Sequence, residues 1–212
     1  MPRLADHDAR RRQITDAARR VIVRGGLDAA TFQAVAAEAG ISVRLVQYYF
    51  GTKRDFLLGT LKSVIDAMAL RFLGQFESLG TEPDPRFALQ MIGRALLPLD
   101  DIRRDEAQIL AAYQAARLTG SPTLPGETLA PARLLEQTLA EHIRRARGLA
   151  PGSDSPEGSA AADRDAELLT VVIAGLSQAV LSDFYSPERA AELLDHTIDR
   201  VLDSERPRPR ED

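Results

Sequence analysis

The sequence predicts an all-α protein of about nine helices, in which a small N-terminal head is joined by a long helix to a larger helical body. Apolar residues recur at three- and four-residue spacing along most of the chain, which is typical of amphipathic helices. Alanine and arginine, both good helix formers, are abundant, whereas runs of β-branched and aromatic residues are scarce. These observations favour helices throughout.

The charge is distributed unevenly between the two ends of the chain. Residues 1–55 contain ten basic and six acidic residues, a net charge of +4, which leaves −8 for the remainder because the whole chain carries −4. A basic head on an acidic body suits a protein that approaches phosphates with one end only.

Several function classes are disfavoured by what the chain lacks. Without cysteines it can form no disulfide, thiolate metal site or cysteine nucleophile, and we expect a cytoplasmic protein. Residues 1–20 have no apolar core of the signal-peptide kind. The most apolar stretch, residues 168–181, is shorter than the roughly 18 residues of a membrane span and contains polar residues. We read it as a buried helix.

The first helix is predicted from about Asp8 to Arg24, where one face is apolar and arginines lie opposite. Gly25 and Gly26 follow it. A glycine pair can form a phosphate-binding loop, but no predicted strand precedes this one, so a helix stop is the preferred interpretation.

Two short helices and the start of a fourth helix come next. Thr31 is a good N-cap for the second helix, which Gly40 ends, and Ser42 can cap a third helix that runs to about Tyr49. After a break at Gly51, Thr52 and Asp55 have the spacing of a capping box and open the fourth helix, predicted to end near residue 79.

The body consists of further helices with clear boundaries. We predict helices over 86–97, 102–118, 127–147, 163–184 and 187–203, separated by linkers at 80–85 and 120–125 and by a flexible loop at 151–159. The expected domains are a small helical head over 8–52, a larger helical body over 53–204, and a disordered tail over 205–212.

The helix predicted over 163–184 is apolar almost all round and must be covered on more than one side. Together with the last helix it predicts a four-helix interface between two copies of the chain. The residues expected there are Leu168, Leu169, Val172, Ile173, Leu176, Val180, Leu194, Ile198 and Val201.

Residues 31–50 have the layout of a helix-turn-helix: an alanine-rich supporting helix, a tight turn, and a short helix with a polar face. Ala36 is small where two helices must cross, and Val46 is suited to packing the second helix on the core. Arg44 and Gln47 are left facing outward. Because arginine can pair with guanine and glutamine with adenine in the major groove, we predict that these two residues read bases.

The same segment resembles the TetR family of regulators over roughly residues 9–58. The matching positions are Thr31, Val35, Ala36, Gly40, Ser42, Val46, Tyr49, Phe50 and Lys53, followed by Phe56 and Leu57. The chain departs from the family pattern at Arg44, where glycine is frequent, and at Gln47, where tyrosine is frequent. Both departures fall on the predicted DNA-facing surface and concern which operator is read.

The resemblance implies a DNA-binding surface of eight residues, in which Arg44 and Gln47 touch bases and most of the others hold phosphates. Thr31 and Lys53 lie at helix N-termini, which favour anions. Of the adjacent rings, Tyr49 is expected to turn partly into the core and Tyr48 to stay outside. The full set is Thr31, Ser42, Val43, Arg44, Gln47, Tyr48, Tyr49 and Lys53.

The resemblance further implies that 8–52 is a helix-turn-helix DNA-binding domain and 53–204 a ligand-sensing and dimerisation domain. The protein would then be a homodimeric repressor that a small-molecule effector releases from a palindromic operator. In such regulators a ligand in the body shifts the fourth helix, so that the paired heads no longer fit two successive major grooves. The ligand-contact candidates are Phe72, Phe76, Phe87, Met91, Arg94, Tyr113, Gln114 and Arg117. If Arg94 or Arg117 points inward, a carboxylate-bearing ligand is expected; if both point outward, a neutral apolar one is expected.

Some alternatives remain open. The run Arg10–Arg12 is either a solvated helix face or a set of DNA-backbone contacts. His7, His142 and His196 lack metal-ligand spacing, and no nucleophile motif is present, so no metal, cofactor or enzymatic activity is expected. Other possible classes are a helical binding protein whose head does not read DNA, and an enzyme built on a helical scaffold.

Overall fold

The structure is a computed structural model of the 212-residue chain, and it describes residues 2–78, 83–120, 130–149 and 156–203. Within these ranges the regular structure is entirely helical, which confirms the predicted all-α class. The helices are α1 (Pro2–Ala29), α2 (Phe32–Ala39), α3 (Val43–Phe50), α4 (Lys53–Glu77), α5 (Pro85–Leu96), α6 (Asp101–Leu118), α7 (Ala130–Ala146), α8 (Pro156–Leu181) and α9 (Pro187–Asp203). In the described part, no helix is long and apolar enough to cross a membrane.

The short helices of the head have the predicted caps. The Thr31 hydroxyl accepts a hydrogen bond from the amide of Ala34 at 3.1 Å, and Gly40 ends α2 in the left-handed conformation with φ 66°. The Ser42 hydroxyl accepts from the amide of Leu45 at 3.2 Å and so begins α3. These contacts satisfy backbone groups that a helix end would otherwise leave without a partner.

The first and eighth helices differ from their predicted bounds. α1 begins at Pro2 rather than at Asp8, and its regular part ends at Gly26, whose φ of 74° is not helical. α8 begins at Pro156, inside the segment 151–159 that was predicted to be a loop, so that part of the prediction is wrong. Proline is well tolerated in the first turn of a helix, where its missing N–H removes no hydrogen bond, and the alanines at 160–162 continue the helix. Residues 79–82, 121–129, 150–155 and the tail 205–212 lie outside the described residues.

The chain divides into two compact units, and the division differs from the expected boundary at residue 53. Unit 1 contains Met1–Leu73 and Arg104–Gly126; unit 2 contains Gly74–Arg103 and Glu127–Asp212. Most of α4 and α6 therefore groups with the three head helices. The core of unit 1 is built from buried side chains of α1, α2, α3, α4 and α6, the largest being Phe56, Ile14, Leu57 and Ile109.

In unit 2, α5 packs against α9, and α7 packs against α8. Gly93 on α5 lies so close to α9 that a Cβ atom there would approach a side-chain carbon of Leu194 to 2.7 Å. Arg86 bonds Asp199 along the same pair of helices. Arg147, just beyond α7, bonds Asp165 on α8 at 2.5 Å and the carbonyl of Val201 on α9 at 2.8 Å. Unit 2 is thus held by helix packing and interhelical ion pairs.

Candidate nucleic-acid interface

The helix α3 has one buried face and one exposed face. Val46 and Phe50, four residues apart, are buried in the core of unit 1. Arg44, Gln47 and Tyr48 lie on the opposite side and are exposed, with Tyr48 at 77%. Residues three and four apart share a helix face, so these polar side chains form one continuous outward surface.

Two of the residues predicted to contact DNA are partly buried against the core. Val43 and Tyr49 are half-buried and pack against the hydrophobic cluster of unit 1. The Tyr49 ring lies 4.7 Å from the ring of His7 and 5.3 Å from the ring of Tyr48, measured between centroids. The structure therefore agrees with the expectation that Tyr49 rather than Tyr48 turns inward.

The remaining predicted phosphate contacts lie at helix starts. Thr31 is half-buried at the start of α2, and Ser42 is exposed at the start of α3. Lys53 is exposed in the first turn of α4, next to Thr52, whose hydroxyl donates to Asp55 at 2.7 Å and accepts from the amide of Asp55 at 3.1 Å. Thr52 therefore caps α4 as predicted, but the reciprocal half of a capping box is not formed, because the Thr52 amide donates to the carbonyl of Phe50 at 2.7 Å.

Several arginines of the basic head are neutralised within the protein. Arg20 Nε bonds Glu38 at 2.6 Å, and Arg24 bonds the other oxygen of the same carboxylate. These two hydrogen bonds, first from Arg24 and then from Arg20, hold the pKa of Glu38 below its ordinary value. Arg19 lies 3.5 Å from the buried Glu106. Charge counting along the sequence therefore overstates the charge that the head can present to DNA.

The arginine run at 10–12 divides into three different environments. Arg10 donates to Gln13 at 2.6 Å. Arg11 donates to the carbonyl of Tyr49 at 2.8 Å, and its Cζ lies 4.4 Å from the centroid of the Phe50 ring. Arg12 is exposed. Neither of the two open interpretations fits the whole run, because Arg11 is bound to α3. The sequence carries no signal for this contact, which joins residues 38 positions apart.

Within the described part of the chain, the side chains of four exposed cations of the head have no intramolecular hydrogen bond or ion pair. They are Arg12, Arg44, Lys53 and Arg54. The positive charge available to an anionic partner is therefore carried by α1, α3 and the first turn of α4.

The predicted ligand-contact residues are divided between the two units and have different surroundings. Phe72 and Met91 are half-buried, and Phe87 is exposed. Tyr113 belongs to the core of unit 1, where its hydroxyl donates to the carbonyl of Leu57 at 2.7 Å and burial raises its pKa above the ordinary value. The side chain of Phe76 lies outside what the structure describes.

The polar candidates among these residues face outward. Gln114 and Arg117 on α6 are exposed, and Arg94 on α5 is exposed and bonds Asp195 at 2.5 Å. A shallow, open cavity of about 290 Å³ in unit 2 has a polar lining that includes none of the predicted contacts; it is formed by Arg133, Glu136, Gln137, Asp163 and Glu167. No group of metal-ligating side chains large enough to hold an ion occurs among the described residues.

Most of the residues predicted for the dimer interface are buried within unit 2 itself. These are Leu169, Ile173, Leu176, Val180, Leu194, Ile198 and Val201. Val172 is half-buried and Leu168 is 52% exposed. The buried members of this set contribute to the core of unit 2 and leave little surface for a partner. Leu168 and Val171, which is 68% exposed, are the large apolar residues that α8 presents outward.

The comparisons with known proteins concentrate on the head. The family model described as bacterial regulatory proteins, tetR family, matches residues 14–59. The HTH-type transcriptional regulator PksA of Bacillus subtilis (strain 168) is 39% identical over 64 residues, which cover 30% of this chain and 31% of that protein. The HTH-type transcriptional regulator BetI of Brucella anthropi is 42% identical over 76 residues, which cover 35% and 36%. The matches span about a third of the length of these relatives.

Solved structures match over nearly the whole chain. A transcriptional regulator from Saccharomonospora viridis in complex with choline has a TM-score of 0.75 at 27% identity, covering 91% of this chain and 96% of that one. A transcriptional regulator from Rhodococcus sp. Rha1 has a TM-score of 0.68 at 28% identity, covering 92% and 96%. Residues 14–59 therefore match the tetR family model, and along nearly its whole length the chain has a fold similar to that of these solved transcriptional regulators.

Proposed function

We propose that this protein is a sequence-specific DNA-binding transcriptional regulator that reads its operator with α3. The observation that carries the proposal is the exposed face of Arg44, Gln47 and Tyr48. Arginine and glutamine are side chains that can make paired hydrogen bonds to base edges in the major groove. Arg12 and Lys53, exposed and free of ion pairs in the described part, supply charge for phosphates.

A homodimer bound to an inverted repeat accounts for the exposed apolar residues of α8. Leu168 and Val171 are exposed on α8, and exposed Ala174 and Gly175 follow on the same face. A Cβ atom at Gly175 would meet nothing within 4 Å, so this part of the helix is open to close approach. A two-fold dimer requires one self-complementary face, and two heads related by that axis would read two half-sites.

The regulation that we propose is repression relieved by a small ligand bound in the body. Such a ligand binds the DNA-incompetent dimer preferentially, and moving the population from mostly bound to mostly free requires roughly 5.5 kcal/mol of differential affinity. Arg94 and Arg117 are both exposed, which favours a neutral apolar ligand over a carboxylate-bearing one. Choline, a cation, does not follow from this expectation and is suggested by a structural neighbour alone. The choline complex of the Saccharomonospora viridis regulator makes choline the first probe.

Selection of the purified protein against a random duplex library tests the DNA-reading proposal, with Arg44→Ala selected in parallel. We expect an enriched inverted repeat for the wild type and a relaxed base position for the variant. Weak binding of all duplexes, with a steep salt dependence and no enrichment, would indicate instead a helical binding protein whose head does not read sequence.

A choline titration against the selected duplex tests the regulatory part separately. We expect the affinity for that duplex to fall as choline is added, because choline and the operator bind preferentially to different conformations of the protein. If choline binds the protein and leaves the DNA affinity unchanged, the proposal that choline relieves repression is wrong. The proposal that α3 reads the operator sequence is unaffected by that result.

A further inference from the structure

The last carbonyl groups of α2 and α3 are bonded by side chains of α1. Gln13 Nε2 donates to the carbonyl of Ala39, the last residue of α2, at 2.9 Å. Arg11 Nη1 donates to the carbonyl of Tyr49, in the last turn of α3, at 2.8 Å. Carbonyl groups in the last turn of a helix have no intrahelical partner, and a cation there is favoured by the helix dipole.

Arg11 also contacts the side chain by which α3 is held in the core. Its guanidinium carbon lies 4.4 Å from the centroid of the Phe50 ring, which is a cation–π distance. Gly59 of α4 lies against the same ring, since a Cβ atom there would approach Phe50 Cε1 to 2.8 Å. Phe50 is thus enclosed between α1 and α4, and Arg11 holds both its ring and the neighbouring carbonyl of Tyr49.

α3 depends on such contacts for its orientation. It is eight residues long, and helices this short are not stable in isolation. Ser42 caps its first turn, and Val46 packs beneath its middle. The contacts of Arg11 hold its C-terminal turn and, with the buried Val46 and Phe50, restrain the rotation of the helix about its axis.

We propose that Arg11 is a positioning residue for DNA reading: it fixes α3 through Tyr49 and Phe50 and does not itself bind a phosphate. The inference rests on the proposed function, and it assigns different roles to two adjacent arginines. Arg12, whose exposed side chain has no intramolecular partner in the described part, is the phosphate contact. By orienting α3, Arg11 affects which DNA sequence the protein prefers, because paired base contacts require accurate placement of the side chains.

The test uses the full chain, the selected duplex and a scrambled duplex of the same length, with affinities measured over a range of salt concentrations. For Arg11→Met we expect the ratio of specific to scrambled affinity to fall roughly tenfold, with an unchanged slope of log affinity against log salt. For Arg12→Met we expect an unchanged ratio and a slope shallower by about 0.9 on both duplexes, because one phosphate contact is lost.

Hydrogen exchange of the DNA-free protein provides a readout that does not depend on DNA binding. We expect faster amide exchange across residues 43–50 in Arg11→Met than in the wild type, and no change there in Arg12→Met. Arg11→Lys, which retains the charge and one possible donor to Tyr49, should recover part of the affinity ratio. If Arg11→Met does not fold, Arg11→Lys is measured with the same readouts, and an intermediate ratio with the wild-type slope is expected.

Three results would overturn the inference. A slope that becomes shallower in Arg11→Met, as in Arg12→Met, would make Arg11 a phosphate contact. An unchanged ratio, or unchanged exchange across α3, would remove its positioning role. If instead the wild type shows no preference for any duplex, the proposed function fails, and the exchange comparison alone decides whether Arg11 orders α3.

Discussion

Glu106 on α6 accepts two hydrogen bonds from the guanidinium group of Arg71 on α4, at 2.9 Å and 2.5 Å. The glutamate is 1% exposed, and Arg19 of α1 lies 3.5 Å from the same carboxylate. A buried carboxylate is tolerated when such partners compensate for its lost hydration. This one connects three helices of unit 1: α1, α4 and α6.

Replacing this carboxylate should cost far more stability than replacing a surface one. We expect Glu106→Gln to lower the free energy of unfolding by about 2 to 4 kcal/mol, because two arginines lose their counter-charge in a partly buried site. Asp66→Asn is the control, since the exposed Lys62–Asp66 pair on α4 should contribute less than about 0.5 kcal/mol. Urea unfolding measures both, and equal losses would contradict the assigned difference.

Arg44 and Lys53 should respond differently to substitution, because one is predicted to read a base and the other to hold a phosphate. We expect Arg44→Ala to weaken binding of the selected duplex by about 1 to 3 kcal/mol and to relax one base position. Lys53→Ala should weaken binding of specific and scrambled duplexes alike and make the salt slope shallower by about 0.9. If both variants lose the same affinity on both duplexes, the two roles are wrongly assigned.

The elements of the head could be predicted because their signals are local in sequence. Thr31, Ser42 and Thr52 each cap a helix through the amide three residues further on, and such spacing is visible in a sequence. The outward face of α3 follows equally from helical periodicity. Contacts between distant residues leave no such trace. The hydrogen bond from Arg11 to Tyr49 and the ion pair of Arg19 with Glu106 depend on how the helices pack.

The predicted dimer face on α8 shows a second limit of sequence patterns. A helix that is apolar nearly all round must be buried on most sides. Its sequence does not indicate which face packs within the same chain and which face is left for a partner. In the structure Leu169, Ile173 and Val180 face the core of unit 2, whereas Leu168 and Val171 face outward. Periodicity places these residues on different faces, but only packing distinguishes the core from the exposed face.

A methyl group added at Gly93 should be destabilising, although alanine is the better helix former. The added Cβ atom would lie 2.7 Å and 2.9 Å from two carbons of the buried Leu194 side chain. Overpacking of this kind costs about 1 to 3 kcal/mol, which exceeds the roughly 1 kcal/mol gained in helix propensity. We expect a net loss of about 1 kcal/mol in urea unfolding. Gly74→Ala on α4, where a Cβ atom would meet nothing within 4 Å, is the control and should be neutral or stabilising.

The pair of arginines on Glu38 predicts a pH-dependent contribution to the stability of unit 1. Because the folded-state pKa of Glu38 is the lowered one, its ion pairs stabilise the fold at pH values above 4.5, and this stabilisation is lost as the pH falls through the folded-state pKa. We expect Glu38→Gln to have a lower Tm than the wild type at pH 7, with a difference that closes in acid. Glu141→Gln, at an exposed position on α7, is the control and should show no difference at either pH. A difference that widens in acid would contradict the assignment.

Charge on the outward face of α8 should separate the proposed dimer without unfolding the chain. Leu168 and Val171 are exposed within one chain, so a glutamate at either position costs little in the monomer, but two copies would face each other across a two-fold axis. We expect Leu168→Glu and Val171→Glu to sediment as folded monomers and to lose affinity for the full inverted repeat. Binding of an isolated half-site should be retained, because the head is unchanged. Leu118→Glu, at an even more exposed apolar position on α6, is the control and should remain dimeric. Dimers in all three variants would place the interface elsewhere.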